Sequence, residues 1–275
     1  MDKKTTIILI IVLFVILIIA GIICYLLNYK VNKLNVYFFN AGKADSALIT
    51  FEDKHILIDT GEEEFYDKLN LYLNSNKINK IDYLILTHFD KDHIGSASKI
   101  IDNYEVSNIY ITNTTKDSTY YNNYLESIKK KNITPIKVEG DLDISIGELQ
   151  IIINGPTKIY EEDVSNNSSL ITSIKYKYKS FLFMGDAQND RIQDYLNDHK
   201  GTYDVLKLPY HGNFQKNDKK LIEDVRPKYI VISSNIYEDK LIDYLDSKRK
   251  KYYKTGDDNI SISSNGYFLK FDKLK

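Results

Sequence analysis

T-H-F-D-K-D-H-I-G, Thr87 to Gly95, places two imidazoles and two carboxylates (His88, Asp90, Asp92, His93) within six positions. It follows the apolar run Ile81 to Leu86, which reads as a buried strand, and precedes a helix predicted through about Ile101. Histidine is scarce, five in 275 residues, so two of them bracketing two aspartates mark a site rather than a surface. Side chains alternate along an extended segment, so His88, Asp90 and Asp92 point one way while His93 turns in as the helix begins. The stretch is a cage for a divalent metal.

Three other predicted strands end in groups of the same kind. Ile56 to Ile58 runs into Asp59-Thr60-Gly61, Phe181 to Met184 into Gly185-Asp186-Ala187, and Val205 to Leu208 into Pro209-Tyr210-His211-Gly212. Taken singly, a histidine after a strand is an ordinary surface residue and Asp186 an N-cap. Four strand ends delivering His, Asp or their supports converge at one edge of layered sheets, where such folds bind ligands. The remaining pattern is mixed α/β. Strands are predicted over 34–40, 47–51, 106–111, 133–138, 149–153 and 229–233, with a hairpin of 170–178 and 181–184. Helices are predicted over 62–73, 121–131, 185–196, 219–225 and 240–248, and two short strands close the chain. This is a two-sheet layer architecture in one domain, residues 31–275.

Thr5 to Tyr29 carries no charge, and Ile7 to Leu27 is almost wholly Ile, Leu and Val. As a helix those residues span roughly 32 Å, enough to cross a hydrocarbon core. No small-x-small cleavage site precedes the polar flank, so the expectation is an uncleaved single-pass anchor over 1–30, transmembrane from about 6 to 28. The domain is expected outside the cell membrane, although Lys3 and Lys4 face Lys30 and Lys33 across the span. Cys24 lies in this segment, which leaves the globular part without disulfides or thiolate ligands. With 37 basic and 38 acidic residues, any nucleic-acid partner must be held by a local patch and not by a global field.

The order Asp59-Thr60-Gly61, H-x-D-x-D-H-x-G, Gly185-Asp186 and His211-Gly212 resembles the metallo-β-lactamase superfamily. N-A-G-K-A-D-S at 40–46, N-N-S-S-L at 166–170, M-G-D-A at 184–187 and L-K-L-P-Y-H-G-N at 206–213 are similar to the hydrolase domain of ComEC-type competence proteins. This chain departs from that pattern at Lys43, Ala44, Tyr210 and Asn213, where the relatives usually have Gln, Gly, His and Ser. The multi-span channel region of DNA-uptake proteins is not among these residues, so the resemblance implies the hydrolase chemistry and not the transport.

The resemblance implies an αββα sandwich with two divalent ions, zinc or manganese, at the sheet edge. His88 and Asp90 would hold one ion; Asp92, His93 and His211 the other; Asp186 would bridge. Asp92 and Asp186 are the residues expected at the reacting centre. Asp90 stands where many members have His, and the extra carboxylate favours manganese relative to an all-imidazole zinc site. The usual histidine upstream of the bridging Asp is missing. Asn166, Asn167, Ser168 and Ser169 stand in that neighbourhood, either as weak ligands beside an open position or as a strand-entry turn. Asp59 is expected to orient a ligand histidine through its ring N–H. Asp45 would do likewise or cap a turn, and Tyr210 lies beside the site. The polar segment Thr112 to Tyr124 is either a lip over the site or a plain surface loop.

Two metals sharing a carboxylate can hold a hydroxide between them and clamp the charge of an in-line displacement. The expected function is a membrane-anchored metal-dependent hydrolase acting on phosphodiesters, with DNA as one candidate substrate and a cell-wall polymer as another. An acyl-ester (lactone or thioester) hydrolase and a binding module with a relic metal site are the alternatives.

Overall fold

The computed structural model describes residues 2–28 and 32–274, which divide into two compact units, 1–32 and 33–275. In the first, the uncharged Ile/Leu/Val run forms α1 (Lys3–Asn28), roughly 39 Å long. Its large apolar side chains, Phe14 and Leu17 among them, lie exposed. By length and composition it is apolar enough to cross a membrane. The expected anchor boundary at residue 30 lies outside the described residues.

The second unit opens with an antiparallel meander, β1 (Leu34–Phe38), β2 (Ala47–Phe51) and β3 (Lys54–Ile58). The crossover α2 (Tyr66–Ser75) leads to β4 (Lys80–Leu86), then α3 (Lys91–Ile94) and α4 (Ala97–Asn103) to β5 (Glu105–Ile111). α5 (Thr119–Lys130) precedes the short β6 (Ile136–Lys137). The chain then changes sheets through β7 (Gly140–Ile146), β8 (Leu149–Gly155), α6 (Val164–Asn167), β9 (Ile171–Tyr176) and β10 (Lys179–Phe183). Alternation follows: α7 (Asn189–Asp198), β11 (Val205–Lys207), α8 (Asp218–Val225), β12 (Tyr229–Ile232), α9 (Asp239–Ser247) and β13 (Lys251–Lys254). β14 (Asn259–Ser264) and β15 (Leu269–Leu274) return to the first sheet.

Strand order is β15-β14-β1-β2-β3-β4-β5-β6 in one sheet and β13-β12-β11-β10-β9-β8-β7 in the other. β3 to β6 run parallel, as do β10 to β13. Parallel neighbours need crossovers, and the helices that supply them cover the outer faces. The inner faces meet in a core where Phe38 stacks on Phe183 at 5.4 Å and Phe51 meets Tyr176 edge-on at 4.9 Å. Leu69 and Leu73 of α2, Ile100 of α4 and Tyr124 of α5 seal the first sheet; Ile192, Leu221 and Leu241 of α7, α8 and α9 seal the second. The result is the αββα sandwich, with the C-terminal ends of β3, β4, β10, β11 and β12 delivering the site.

The structure departs from the sequence pattern in several places. β7 has no counterpart among the expected strands, because its D-L-D-I-S-I alternation is that of an edge strand with one wet face. The expected strand 133–138 pairs only at Ile136 and Lys137, three strands and not two close the chain, and the helix after Asp186 begins at Asn189. Gly185 takes a left-handed φ of +54°, so residues 184–188 form a turn that precedes the helix.

Asp218 at the start of α8 is buried; its Oδ2 accepts from the Gln215 N–H at 2.7 Å, and its Oδ1 meets no partner. Burial pushes its carboxyl from 3.8 up to about 7. The folded chain therefore keeps a proton that the unfolded chain has lost, and stability falls as pH rises from 3.8 to 7. Asp218→Asn is expected to remove that slope, a change with a ceiling of roughly 4 kcal/mol at pH 8. Urea unfolding of parent and variant at pH 5 and pH 8 measures it; equal slopes in the two proteins would contradict the assignment.

Candidate metal centre

Asp59 follows β3 with a left-handed φ of +56° and is wholly buried. Its Oδ1 accepts from the Thr87 N–H at 2.8 Å; its Oδ2 accepts from Thr87 Oγ1 at 2.7 Å and lies 2.7 Å from His93 Nδ1. The imidazole of His93 is thereby locked with Nε2 facing the opposite way, 3.2 Å from Asp186 Oδ1. Asp186 Oδ2 lies 3.2 Å from His211 Nε2, and Asp92 Oδ2 is 3.1 Å from the same nitrogen. One carboxylate sits between two imidazoles, with a second carboxylate alongside.

His211 is aimed by Asp45, whose Oδ1 is 3.2 Å from His211 Nδ1. Asp45 is itself buried and ion-paired with Lys207, which also donates to the Gly185 carbonyl at 3.1 Å. Asp45, His93, Asp186 and His211 bring ligand-type atoms within 4.8 Å of one another. Asp45, however, meets the far nitrogen of His211 and already carries a lysine, so it holds the ring rather than facing the centre. Asp92 completes the inward-facing set. Backbone shape makes this possible: Tyr210 and His211 have φ of +48° and +53°. A Cβ on Gly185 would stand 3.0 Å from the Cβ atoms of both Ser169 and Thr87.

The electrostatics match a cation. Burial alone would drive the two histidines neutral, but Asp186 and Asp59 hold His93 well above its usual pKa, and Asp186 and Asp45 raise His211 to about 10. Burial would raise the carboxyls; His211 and His93 outweigh it and hold Asp186 well below the carboxylate range, and the same two rings bring Asp92 to about 2. His93 Nε2 and Asp186 Oδ1 are buried with no hydrogen-bond partner. Buried polar atoms this close to one another without bonds are what a metal would satisfy, and the His/Asp donor set fits a borderline-to-hard divalent ion.

The other half is built differently. His88 is buried and stacked near His93 at 4.1 Å between ring centroids; burial, then His93, lowers its pKa to about 4. Its Nδ1 lies 3.1 Å from Thr87 Oγ1 and 3.3 Å from Ser169 Oγ, and its Nε2 has no hydrogen-bond partner. Asp90 Oδ1 is 3.9 Å from that Nε2 but accepts from both Lys116 Nζ and Ser165 Oγ. Asn167 does not face the centre. Its Oδ1 accepts from the N–H groups of Gln188 and Arg191, and its Nδ2 donates to the Glu162 carbonyl. Ser168 Oγ donates to the Ser165 carbonyl and accepts from Thr114 Oγ1 at 3.1 Å. Of the two readings of N-N-S-S, these bonds fit the turn.

Tyr210 stands at the rim with Lys43 Nζ 5.9 Å from its ring centroid. His55 and His199 pair with Asp82 and Asp141 and share no partner with the centre. Lys116, Ser165 and Lys207 are the participants that residue-type reasoning passed over. Lys116 had a signal in the segment 112–124, expected as a lip or a loop, and Lys207 in the motif at 206–213.

A helix-faced double sheet with His and Asp gathered at its strand ends defines the metallo-β-lactamase class. Residues 40–234 match the family model described as Metallo-beta-lactamase superfamily, well over half the chain, and the chain belongs to that superfamily. It is 25% identical over 218 residues to ComE operon protein 3 of Bacillus subtilis, covering 72% of this chain and 28% of that protein. It is 27% identical over 230 residues to Recombination protein 2 of Haemophilus influenzae, covering 82% and 27%. The chain thus spans about a quarter of the length of these relatives. Among solved structures, the metallo-beta-lactamase fold protein YhfI from Bacillus subtilis superposes with a TM-score of 0.56 at 13% identity, covering 88% of this chain and 100% of that one. CmlA, a diiron beta-hydroxylase from Streptomyces venezuelae, gives 0.53 at 13%, covering 88% and 54%. At those identities the likeness is one of fold alone, and function is argued from the site.

Proposed function

We propose that this chain is a membrane-anchored, divalent-cation-dependent hydrolase of phosphodiesters, with DNA as one candidate substrate. The observation that carries the reading is Asp186, buried between the Nε2 atoms of His93 and His211 with Asp92 beside it. These four residues would hold the ion, zinc or manganese, with two carboxylates favouring manganese. A divalent cation held by these residues would supply Lewis-acid chemistry, polarisation of a phosphoryl oxygen and acidification of water near neutral pH. The chain's own contribution is orientation and charge: Asp59 and Asp45 fix the two rings, and Asp92, on the more open side, is placed to accept a proton. Lys43 and Lys116 put positive charge at the rim, which suits an anionic diester better than a neutral lactone or thioester. The similarity to ComE operon protein 3 and to a relative named as a recombination protein supports DNA as the first polymer to try. α1 supports single-pass anchoring, and we place the hydrolase unit outside the membrane.

The full chain, purified in detergent, stripped of metal and reloaded with manganese or zinc, is expected to cleave bis(p-nitrophenyl) phosphate and a single-stranded oligonucleotide only when loaded. A folded, loaded sample that leaves both intact while opening a lactone or thioester would transfer the reading to acyl esters. Protease accessibility on intact cells checks the sidedness: an extracytoplasmic unit is cut.

A further inference from the structure

The two halves of the centre are unequal, and the difference points to a lysine. The half made by Asp92, His93, Asp186 and His211 offers two partnerless buried atoms, His93 Nε2 and Asp186 Oδ1; the half made by His88 and Asp90 offers one, His88 Nε2, beside a carboxylate that is already engaged. Asp90 already carries Lys116 and Ser165 on its Oδ1, and Lys116 Nζ lies 3.4 Å from Ser165 Oγ, so the three close into one cluster. The lysine is delivered by the segment between β5 and α5, which is fastened to the stretch after α6. Thr112 Oγ1 donates to the Ser168 carbonyl at 2.6 Å, and Thr114 Oγ1 to Ser168 Oγ at 3.1 Å. Asn167 and Ser168, two of the side chains of the N-N-S-S stretch, are consumed in turn and loop bonds, and Ser169 Oγ is engaged by the Asp186 N–H and His88 Nδ1. A metal on this side would have His88, a share of Asp186 were that carboxylate to bridge and, only after an ammonium group is expelled, Asp90; with Lys116 in place that falls short of the three or four protein ligands that stable sites use.

We propose that Lys116 takes the place of one cation in this chain. The site then holds a single divalent ion at Asp92, His93, Asp186 and His211, with the lysine ammonium supplying the positive charge on the His88/Asp90 side. A fixed ammonium repels a second metal while Asp90 remains neutralised. The same Nζ carries further N–H bonds with which to meet a non-bridging oxygen of a diester seated beside the ion, as a point charge of the kind lysine provides to phosphates. The inference rests on the metal-site reading above and specifies its stoichiometry.

Bound manganese per folded chain, measured by elemental analysis after equilibrium dialysis and by titration calorimetry, tests it without reference to activity. The full chain is expected to saturate at one ion. Lys116→Met is expected to saturate at two, and Lys116→Arg, which keeps the charge, at one. Asp90→Asn is expected to retain its single ion with affinity within about threefold of the parent, since Asp90 does not ligate it. Two ions in the parent, one in Lys116→Met with an unchanged melt, or loss of the ion in Asp90→Asn would each overturn the proposal while leaving the hydrolase reading standing. No ion in the folded parent would overturn both.

Discussion

Asp186→Asn is expected to lower the proposed diester hydrolysis by a factor of about a thousand and to abolish tight cation binding while the chain stays folded. The carboxylate is 2% exposed and lies 3.2 Å from each of two imidazole nitrogens, so it is the one group both rings share. Asparagine keeps the shape, and the backbone bond from the Asp186 N–H to Ser169 Oγ at 3.1 Å is untouched. What disappears is the buried negative charge. Without it the pKa values of His93 and His211 both fall, because Asp186 is the largest influence raising either. Cation content by elemental analysis, turnover of the loaded protein and a thermal melt give the three readouts. A variant that keeps a tenth of the parent's turnover would show that the reaction centre lies elsewhere.

Metal removal is expected to make stability strongly pH-dependent on the alkaline side. In the cation-free chain His211 titrates at about 10 against 6.5 when unfolded, so the folded state holds the extra proton between those values. Its contribution is full below 6.5 and is lost as pH rises through 10, with a ceiling of roughly 5 kcal/mol. The carboxylates act in the other direction. Asp92 at about 2 and Asp186 well below 3.8 contribute stability above 3.8 that is lost as pH falls toward 2. A bound cation replaces the imidazole protons, so the loaded protein keeps its stability above pH 6.5 and the gap between loaded and stripped melts widens with pH. Melting temperatures at pH 6, 8 and 9.5, with manganese and with chelator, measure the gap; a gap that narrows with rising pH would mean that His211 does not ligate.

The Thr87 to Gly95 cage was legible because its meaning is local. A strand, a turn and the first turn of a helix carry these four side chains within six positions, and His93 and Asp92 lie toward Asp186 and His211; Asp92 does so from α3, which begins at Lys91, and not from the extended segment expected to point it with His88 and Asp90. The orienting carboxylate at Asp59 was legible for a related reason, since a ligand histidine needs a partner for its second nitrogen and Asp59 ends the strand paired in register with β4. The sheet-edge location of Asp186 and His211 followed from apolar strands ending in them. β7 was not legible, since an edge strand with aspartates on its wet face has neither a continuous apolar run nor a turn signal of its own.

Residue types and their spacing therefore determined the fold, the strand ends that bear the site, and six metal-type side chains, because hydrophobic periodicity and strand-end placement operate over a few residues at a time. Only the tertiary structure decided which partners those six meet. Lys116 meets Asp90 across 26 residues, Ser165 meets it across 75, and Lys207 meets Asp45 across 162. Lysine and serine are everywhere on surfaces, so even where a motif or an expected lip contains them nothing in their neighbourhood names their partner. Folding brings such ordinary groups against a carboxylate, buried at Asp45 and half-buried at Asp90, and those meetings exist only once both sheets have closed.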